Sequence, residues 1–121
     1  CYRLRKRQAV CLTRDDTVVQ NMLEDGSITQ ADVPHVPFRN VLTRAVGSVD
    51  EAKPTHCTQI LEPGDVLLLC SDGLTDSVPE ARWPGIVHSH DGLESAAQAF
   101  IEAGLANGAG DNVSVVLLTL E

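Results

Sequence analysis

The chain has 121 residues, of which 43% are hydrophobic and 21% charged, and its formal net charge is −8. This length fits one small domain or a piece of a larger one, and the composition is that of a folded protein. The acidic balance argues against a nucleic-acid-binding protein, and no apolar run approaches the ~20 residues of a membrane span. We therefore expect neither nucleic acid nor a membrane among its partners.

The first part of the chain predicts a hairpin followed by a helix. Residues 1–12 alternate apolar and polar side chains around a basic turn, which is typical of two antiparallel strands. Residues 16–25 place their apolar side chains on one helical face. We expect Asp15 or Asp16 to cap this helix and Gly26 to end it.

The second half of the chain predicts strands and one long helix. Residues 55–61 are a candidate strand, and residues 66–70 form a continuous apolar run that predicts a strand buried on both faces. Apolar residues at helical spacing predict an amphipathic helix over 93–107, and residues 113–120 read as a last strand. The expected fold class is therefore α+β.

Four cysteines, Cys1, Cys11, Cys57 and Cys70, are spread along the chain. None forms a CxxC pair, and the spacing of nearby histidines fits no zinc site. A reducing compartment, the cytoplasm, is favoured over a disulfide framework.

Two aspartates are the candidates for chemistry. Asp72 follows the predicted buried strand, and Asp111 precedes the last strand, each beside a glycine that permits a close approach. Two such carboxylates can converge on Mg²⁺ or Mn²⁺, which prefer oxygen ligands. The alternative is that both are ordinary turn residues, because Asp-Gly and Gly-Asp pairs are common in turns.

A second acidic and histidine-rich group lies before the long helix. His88, His90 and Asp91 are close enough in sequence to suggest another metal cluster. A solvated turn is the favoured interpretation, with Asp91 as the cap of the following helix.

Four segments, in order, resemble the PPM-type protein phosphatases, the metal-dependent protein phosphatase 2C family of bacteria. They are LTRDDT at 12–17, NVLTRAVG at 40–47, PGDVLLLCSDGLTD at 63–76 and GDNVSVV at 110–116. They resemble the family patterns LTRDHS, NVLTRALG, PGDxLLLCSDGLTD and GxDNxTVV. One segment alone is weak, whereas the ordered set is highly specific.

The resemblance implies a fold, a function and a site. The family fold is an α-β-β-α sandwich of two antiparallel sheets flanked by helices, with a dinuclear Mn²⁺ or Mg²⁺ site at one end. Residues 1–121 would be the C-terminal portion of one catalytic domain, with a flap at about 17–46. Asp72 and Asp111 would be metal ligands in the hydrolysis of phosphoserine and phosphothreonine in partner proteins.

The chain also departs from the family pattern. Asp16 stands where the family usually has His, and Pro84 with Gly85 interrupts a predicted helical region. The family's DGMGG, NED and GDSR segments and its phosphate-binding Arg are not in this chain. About half of the metal site is therefore present, and we expect the isolated fragment to be inactive. The alternative function is a truncated, non-catalytic interaction module, or a half completed by a missing N-terminal half or a second copy.

Overall fold

The computed structural model describes residues 1–48, 50–51 and 53–120. These residues form two compact units, one made of 1–13 with 58–121 and the other of 14–57. Within the described ranges, no helix is both long enough and apolar enough to cross a membrane.

In the described ranges, four strands and four α-helices make up the regular structure. In chain order they are β1 (Tyr2–Arg5), β2 (Gln8–Cys11), α1 (Val18–Glu24), β3 (Val66–Cys70), α2 (Asp72–Ser77), α3 (Trp83–His88), α4 (Leu93–Ala106) and β4 (Val115–Thr119). Single 3₁₀ turns occur at Val33–His35 and Glu80–Arg82. The sequence therefore predicted β3 correctly and placed α4 and β4 within two residues of their observed ends.

The four strands form one antiparallel sheet in the order β2-β1-β3-β4. Tyr2 of β1 lies opposite Leu68 of β3, and Cys70 at the end of β3 lies opposite Val115 of β4. The sheet and its helices confirm the predicted α+β class.

The core lies between one face of this sheet and helices α2, α3 and α4. Leu68 of β3, Trp83 of α3 and Phe100 of α4 are fully buried in it. The Trp83 ring meets the rings of Tyr2 and Phe100 edge-on, with centroids 4.8 and 6.3 Å away. Its indole nitrogen donates to the carbonyl oxygen of Val78 at 3.0 Å, so the one polar atom of this ring is satisfied.

The opposite face of the sheet carries apolar side chains that the described residues leave open. Leu69 is 40% exposed and Leu118 is 49% exposed, and Val10 and Val116 are exposed as well. The prediction that 66–70 would be buried on both faces is therefore wrong for the described residues. Successive side chains of a strand point to opposite faces, and only one face has helices against it.

The unit at 14–57 contains α1. Its cap is Thr17, whose Oγ1 accepts the Gln20 N–H at 3.1 Å, and not Asp15 or Asp16 as expected. Asp16 instead accepts a hydrogen bond from Arg44 at 2.7 Å. The Asp16 carboxylate therefore accepts its hydrogen bond from an arginine and not from the backbone N–H groups at the start of α1.

Three further expectations need correction. Residues 55–61 form no strand, because no described segment pairs with them. Gly92, with φ of 110°, occupies the cap position of α4 that was expected for Asp91. Pro84 does not interrupt a helix but lies in the first turn of α3, where its missing N–H has no partner to lose.

Candidate metal centre

Asp72 and Asp111 lie on segments that meet at one end of the sheet. Asp72 is the first residue of α2, and only Ser71 separates it from Cys70, where β3 ends. Asp111 lies in the loop that leads into β4, whose first residue, Val115, pairs with Cys70. Because β3 and β4 are antiparallel neighbours, the end of one meets the start of the other, and both aspartates come to the same edge.

Gly73 fixes how closely these two segments approach. It is buried at the start of α2, and a Cβ atom built on it would lie 2.2 Å from the carbonyl oxygen of Asn112 and 3.4 Å from that of Asp111. No side chain fits at the shorter distance, so only glycine lets α2 begin against this loop. The backbones that carry the two aspartates are therefore packed directly against each other.

Hydrogen bonds from Ser71 hold the same junction. Its N–H donates to the carbonyl oxygen of Ser114, and its Oγ donates to that of Asn112, both at 3.0 Å. Ser71 Oγ also accepts the Ser114 N–H at 3.0 Å. The loop before β4 is thereby tied to the end of β3 at Asn112 and Ser114, directly after Asp111.

The two carboxylates are open to solvent and are not neutralised. Both side chains belong to exposed residues, and Asp111 Oδ1 accepts the Asn112 N–H at 2.7 Å. Neither aspartate makes an ion pair with any residue that the structure describes. Anionic oxygens without a protein cation are the donors that Mg²⁺ and Mn²⁺ take, so this donor set fits part of a hard-cation site.

The described residues supply only part of such a site. No group of three or more His, Cys, Asp or Glu side chains comes together in residues 1–48, 50–51 and 53–120. Cys70 does not extend the ligand set, because its side chain packs against the hydrophobic core on the helix-covered face of the sheet. Two carboxylates would leave most positions around a cation to water or to other ligands.

His88 and His90 do not form a second metal cluster with Asp91 among these residues. The Nδ1 atom of His88 hydrogen-bonds the carbonyl oxygen of Pro84 at 2.5 Å, and that of His90 bonds the carbonyl oxygen of Ile86 at 2.7 Å. Both rings therefore cap the last turn of α3, which agrees with the favoured interpretation of an exposed turn.

The sequence predicted a close approach beside Asp72 but not the partner in that approach. The atom that requires a glycine at position 73 is the carbonyl oxygen of Asn112, far along the chain. Sequence reasoning missed Ser71, whose hydroxyl joins the two segments, because no local pattern signals such a contact.

Comparisons with known proteins agree with the resemblance. No protein-family model matches the chain. The serine/threonine phosphatase stp of Listeria innocua is 36% identical over 107 residues, which cover 88% of this chain and 42% of that protein. The solved S. agalactiae serine/threonine phosphatase superposes with a TM-score of 0.93 at 27% identity, over 99% of this chain and 50% of that one.

Two further solved structures extend the comparison. The PPM Ser-Thr phosphatase MsPP of Mycobacterium smegmatis gives a TM-score of 0.85 at 31% identity, over 99% of this chain and 51% of that one. The catalytic domain of PstP, solved in complex with two manganese ions, gives a TM-score of 0.78 at 34% identity, over 96% of this chain and 47% of that one.

Nearly all of this chain is matched in these comparisons. The chain spans about half the length of the proteins that it matches. Its antiparallel sheet with helices on one face superposes on the corresponding part of their fold. The chain belongs to the PPM-type, or protein phosphatase 2C, family of serine/threonine protein phosphatases.

Proposed function

We propose that residues 1–121 are the C-terminal portion of one catalytic domain that hydrolyses phosphoserine and phosphothreonine in proteins. The domain would use a dinuclear Mn²⁺ or Mg²⁺ site, to which this chain contributes Asp72 and Asp111, and residues 17–46 would form the flap beside it. The four cysteines all have free thiols, which supports a reducing compartment, and we place the protein in the cytoplasm.

The observation that carries the proposal is the junction of Gly73 with Asn112. This junction packs together the two segments that carry Asp72 and Asp111, whose carboxylates make no ion pair. The chain is also similar to the catalytic domain of PstP, which was solved in complex with two manganese ions. A pair of ordinary turn residues does not require such a close approach between two separate loops.

The role of the chain's own residues would be to bind the divalent cations and to fix their position. The carboxylate of Asp72 is carried by a rigid junction of strand and helix, and that of Asp111 is held by the Asn112 N–H on Oδ1. Both supply negative oxygens that would hold divalent cations in place. Such cations, when bound, polarise the phosphoryl group and activate water for hydrolysis.

Metal binding by the chain itself is the first test. Mn²⁺ binding to the purified chain, followed by electron paramagnetic resonance, should be weak, because two carboxylates leave most coordination positions to water. Asp72→Asn and Asp111→Asn should each weaken it about tenfold or more. Asp76→Asn changes an exposed aspartate of the same helix and should leave it unchanged. Unchanged binding in either site variant would refute the ligand assignment.

Activity requires the rest of a domain, so a chimera is the second test. The matching half of the S. agalactiae phosphatase is replaced by this chain, and release of phosphate from a phosphothreonine peptide is measured with Mn²⁺. We expect activity that Asp72→Asn and Asp111→Asn abolish and Asp76→Asn retains. Circular dichroism of each chimera separates a folding failure from a loss of chemistry.

The non-catalytic alternative is favoured for the chain in isolation. No group of three or more possible metal ligands comes together in its described residues. We therefore expect no phosphatase activity from the chain alone. Robust Mn²⁺-dependent release of phosphate by the purified chain would contradict this.

We also propose that the open sheet face associates with another chain, either the missing half of the domain or a second copy. Apolar side chains such as Leu69 and Leu118 are exposed there. On the same face of β1, the buried Arg3 Nε has no hydrogen-bond partner among the described residues. Apolar area and an unsatisfied donor together favour a covering partner.

Sedimentation at low micromolar concentration tests this association. We expect a species heavier than 13.0 kDa. Leu118→Glu should shift it toward the monomer, whereas Leu105→Glu, a change at an exposed leucine of α4, should not. A stable monomer of the unmodified chain with a cooperative melt would rule the association out.

A further inference from the structure

A cleft lies at the end of the sheet that is remote from the two aspartates. It has a volume of about 700 Å³ and opens between the β1–β2 turn and α3. Leu4, near the end of β1, pairs with Val66, the first residue of β3, whereas Asp72 follows the last residue of β3. The cleft and the candidate metal centre are therefore separated by the length of that strand.

Two cations form the turn that lines this cleft. Lys6 and Arg7 are the whole connection between Arg5 of β1 and Gln8 of β2. Lys6 has φ of 54°, in the left-handed region that glycine and asparagine occupy in such turns and other residues rarely do. Two-residue hairpin turns require a positive φ, so the geometry of the turn accounts for this conformation.

The charges in the cleft are not compensated. The chain has 17 acidic residues against 9 Lys and Arg residues. Even so, neither Lys6 nor Arg7 makes an ion pair with the residues that the structure describes. None of the residues that line the cleft is acidic. A net positive cleft on a protein of charge −8 is suited to an anionic ligand.

The end of α3 that lines the cleft has two of its carbonyl oxygens bonded to side chains. Carbonyl oxygens at the end of a helix ordinarily repel anions. Here His88 Nδ1 bonds the carbonyl oxygen of Pro84 at 2.5 Å, and Ser89 Oγ donates to that of Gly85 at 2.7 Å. These hydrogen bonds offset part of the negative charge on the two oxygens, so this end of α3 repels an anion less than a bare helix end does.

We propose that this cleft docks an acidic peptide segment of a partner protein. Its volume lies within the range of sites that hold a ligand much larger than a single phosphate. Lys6 and Arg7 pair with carboxylates of the segment, while Ala81 and Pro84 pack against an apolar side chain beside them. The site is separate from the metal centre and does not depend on phosphatase activity.

The test measures binding of two short fluorescent peptides by anisotropy. One is rich in glutamate, and the other has glutamine at each of those positions. We expect the purified chain to bind the glutamate peptide, with an affinity that falls as salt is raised, and to bind the glutamine peptide at least tenfold more weakly. Equal affinity for the two peptides would overturn the proposal.

Two double variants, each of which removes two positive charges, distinguish binding in the cleft from a general electrostatic attraction to the protein. Lys6→Gln with Arg7→Gln should weaken binding of the glutamate peptide about tenfold. The matched control, Arg39→Gln with Lys53→Gln, alters two exposed cations of the other unit and should leave binding within a factor of two, about the effect of a weak surface charge. Equal losses in both double variants would overturn the proposal.

A third variant blocks the cleft without changing its charge. No heavy atom lies within 4 Å of a Cβ built on Gly85, so Gly85→Leu fills open space in the cleft. We expect it to abolish peptide binding while the thermal melt is retained. In nitrogen–proton correlation spectra, the glutamate peptide should shift the amides of residues 6, 7, 85 and 89. Shifts confined to other residues, or tight binding by Gly85→Leu, would refute the site.

Discussion

Arg5 holds both carboxylate oxygens of Asp65, with Nε 2.6 Å from Oδ1 and the second guanidinium nitrogen 2.7 Å from Oδ2. The Asp65 side chain is 1% exposed, and its Oδ2 also accepts the Glu62 N–H at 2.8 Å. The pair joins the end of β1 to the turn that begins β3. Hydrogen bonds from Arg5 and then from the Glu62 N–H lower the pKa of Asp65 to about 2.

This pair predicts a specific loss of stability in acid. The pKa of Asp65 is lower in the folded chain than its ordinary value of about 3.9, so ionised Asp65 stabilises the fold above about pH 4. That contribution is lost as the pH falls from about 4 to about 2. Urea unfolding of the unmodified chain and of Asp65→Asn should differ strongly at neutral pH and converge near pH 2. A difference that does not change with pH would contradict the assignment.

Gly73→Ala should disrupt the candidate metal centre. The added methyl group would collide with the carbonyl oxygen of Asn112, so the two segments must separate, at a cost of about 1–3 kcal/mol in unfolding free energy. The affinity of this variant for Mn²⁺ should fall as well, because the two segments that carry Asp72 and Asp111 are moved apart. Gly110→Ala is the control in the neighbouring loop, because nothing lies within 4 Å of its Cβ position. Normal Mn²⁺ binding by Gly73→Ala would show that the close approach is dispensable.

Trp83 should be the most costly core position to truncate. Trp83→Ala removes a fully buried ring and its contacts with Tyr2 and Phe100, and should lower the unfolding free energy by about 3–5 kcal/mol. Trp83→Phe keeps most of the apolar area but leaves the Val78 carbonyl oxygen without its donor, and should cost about 1–3 kcal/mol. Urea unfolding followed by circular dichroism checks the order, and equal losses would contradict it.

Arg44 should control local opening within the unit at 14–57. Its guanidinium donates to Asp16 Oδ1 at 2.7 Å, to the Lys53 carbonyl oxygen at 2.9 Å and to Thr55 Oγ1 at 2.9 Å. Arg44→Met should therefore speed hydrogen exchange at the Thr43 amide, which donates to the Asp16 carbonyl oxygen at 2.8 Å.

The control for this prediction is Arg39→Met, which changes an exposed arginine of the same unit. It should leave the exchange of Thr43 unchanged, and neither variant should affect the Leu68 amide in the sheet. Asp16→His, which introduces the residue common in the family, removes one of the three hydrogen bonds of Arg44 and should speed the exchange of Thr43 less than Arg44→Met does. Unchanged exchange in Arg44→Met would show that these three hydrogen bonds do not hold the segment.

The sequence predicted elements whose signal is local. The apolar run at 66–70 and the helical spacing at 93–107 each carry their own pattern, and β3 and α4 lie there. Residues 55–61 have a strand-like pattern, but a strand also needs a partner, which no local pattern supplies. Pro84 would break a helix that had begun before it, and the sequence predicted such a helix. In the structure α3 begins at Trp83, so Pro84 lies in the first turn, where proline is tolerated.

The sequence pointed to the two charged residues of the candidate site but not to the contacts that hold their segments together. Asp72 and Asp111 stood out because each lies between a glycine and a predicted strand. The contact of Gly73 with Asn112 joins distant parts of the chain, so it follows only from the pairing of β3 with β4. The cations of the β1–β2 turn were visible as a cluster, but the cleft beside them is made by α3.

The sheet unit is built from two stretches of chain, 1–13 and 58–121, and the segment 14–57 is inserted between them. The entropy cost of closing such an excursion grows only with the logarithm of its length, so doubling it costs about 0.6 kcal/mol. No described residue of the segment 14–57 belongs to the core beneath the sheet. Changes in the length of that segment should therefore alter the stability of the sheet much less than truncations of the sheet's own core side chains.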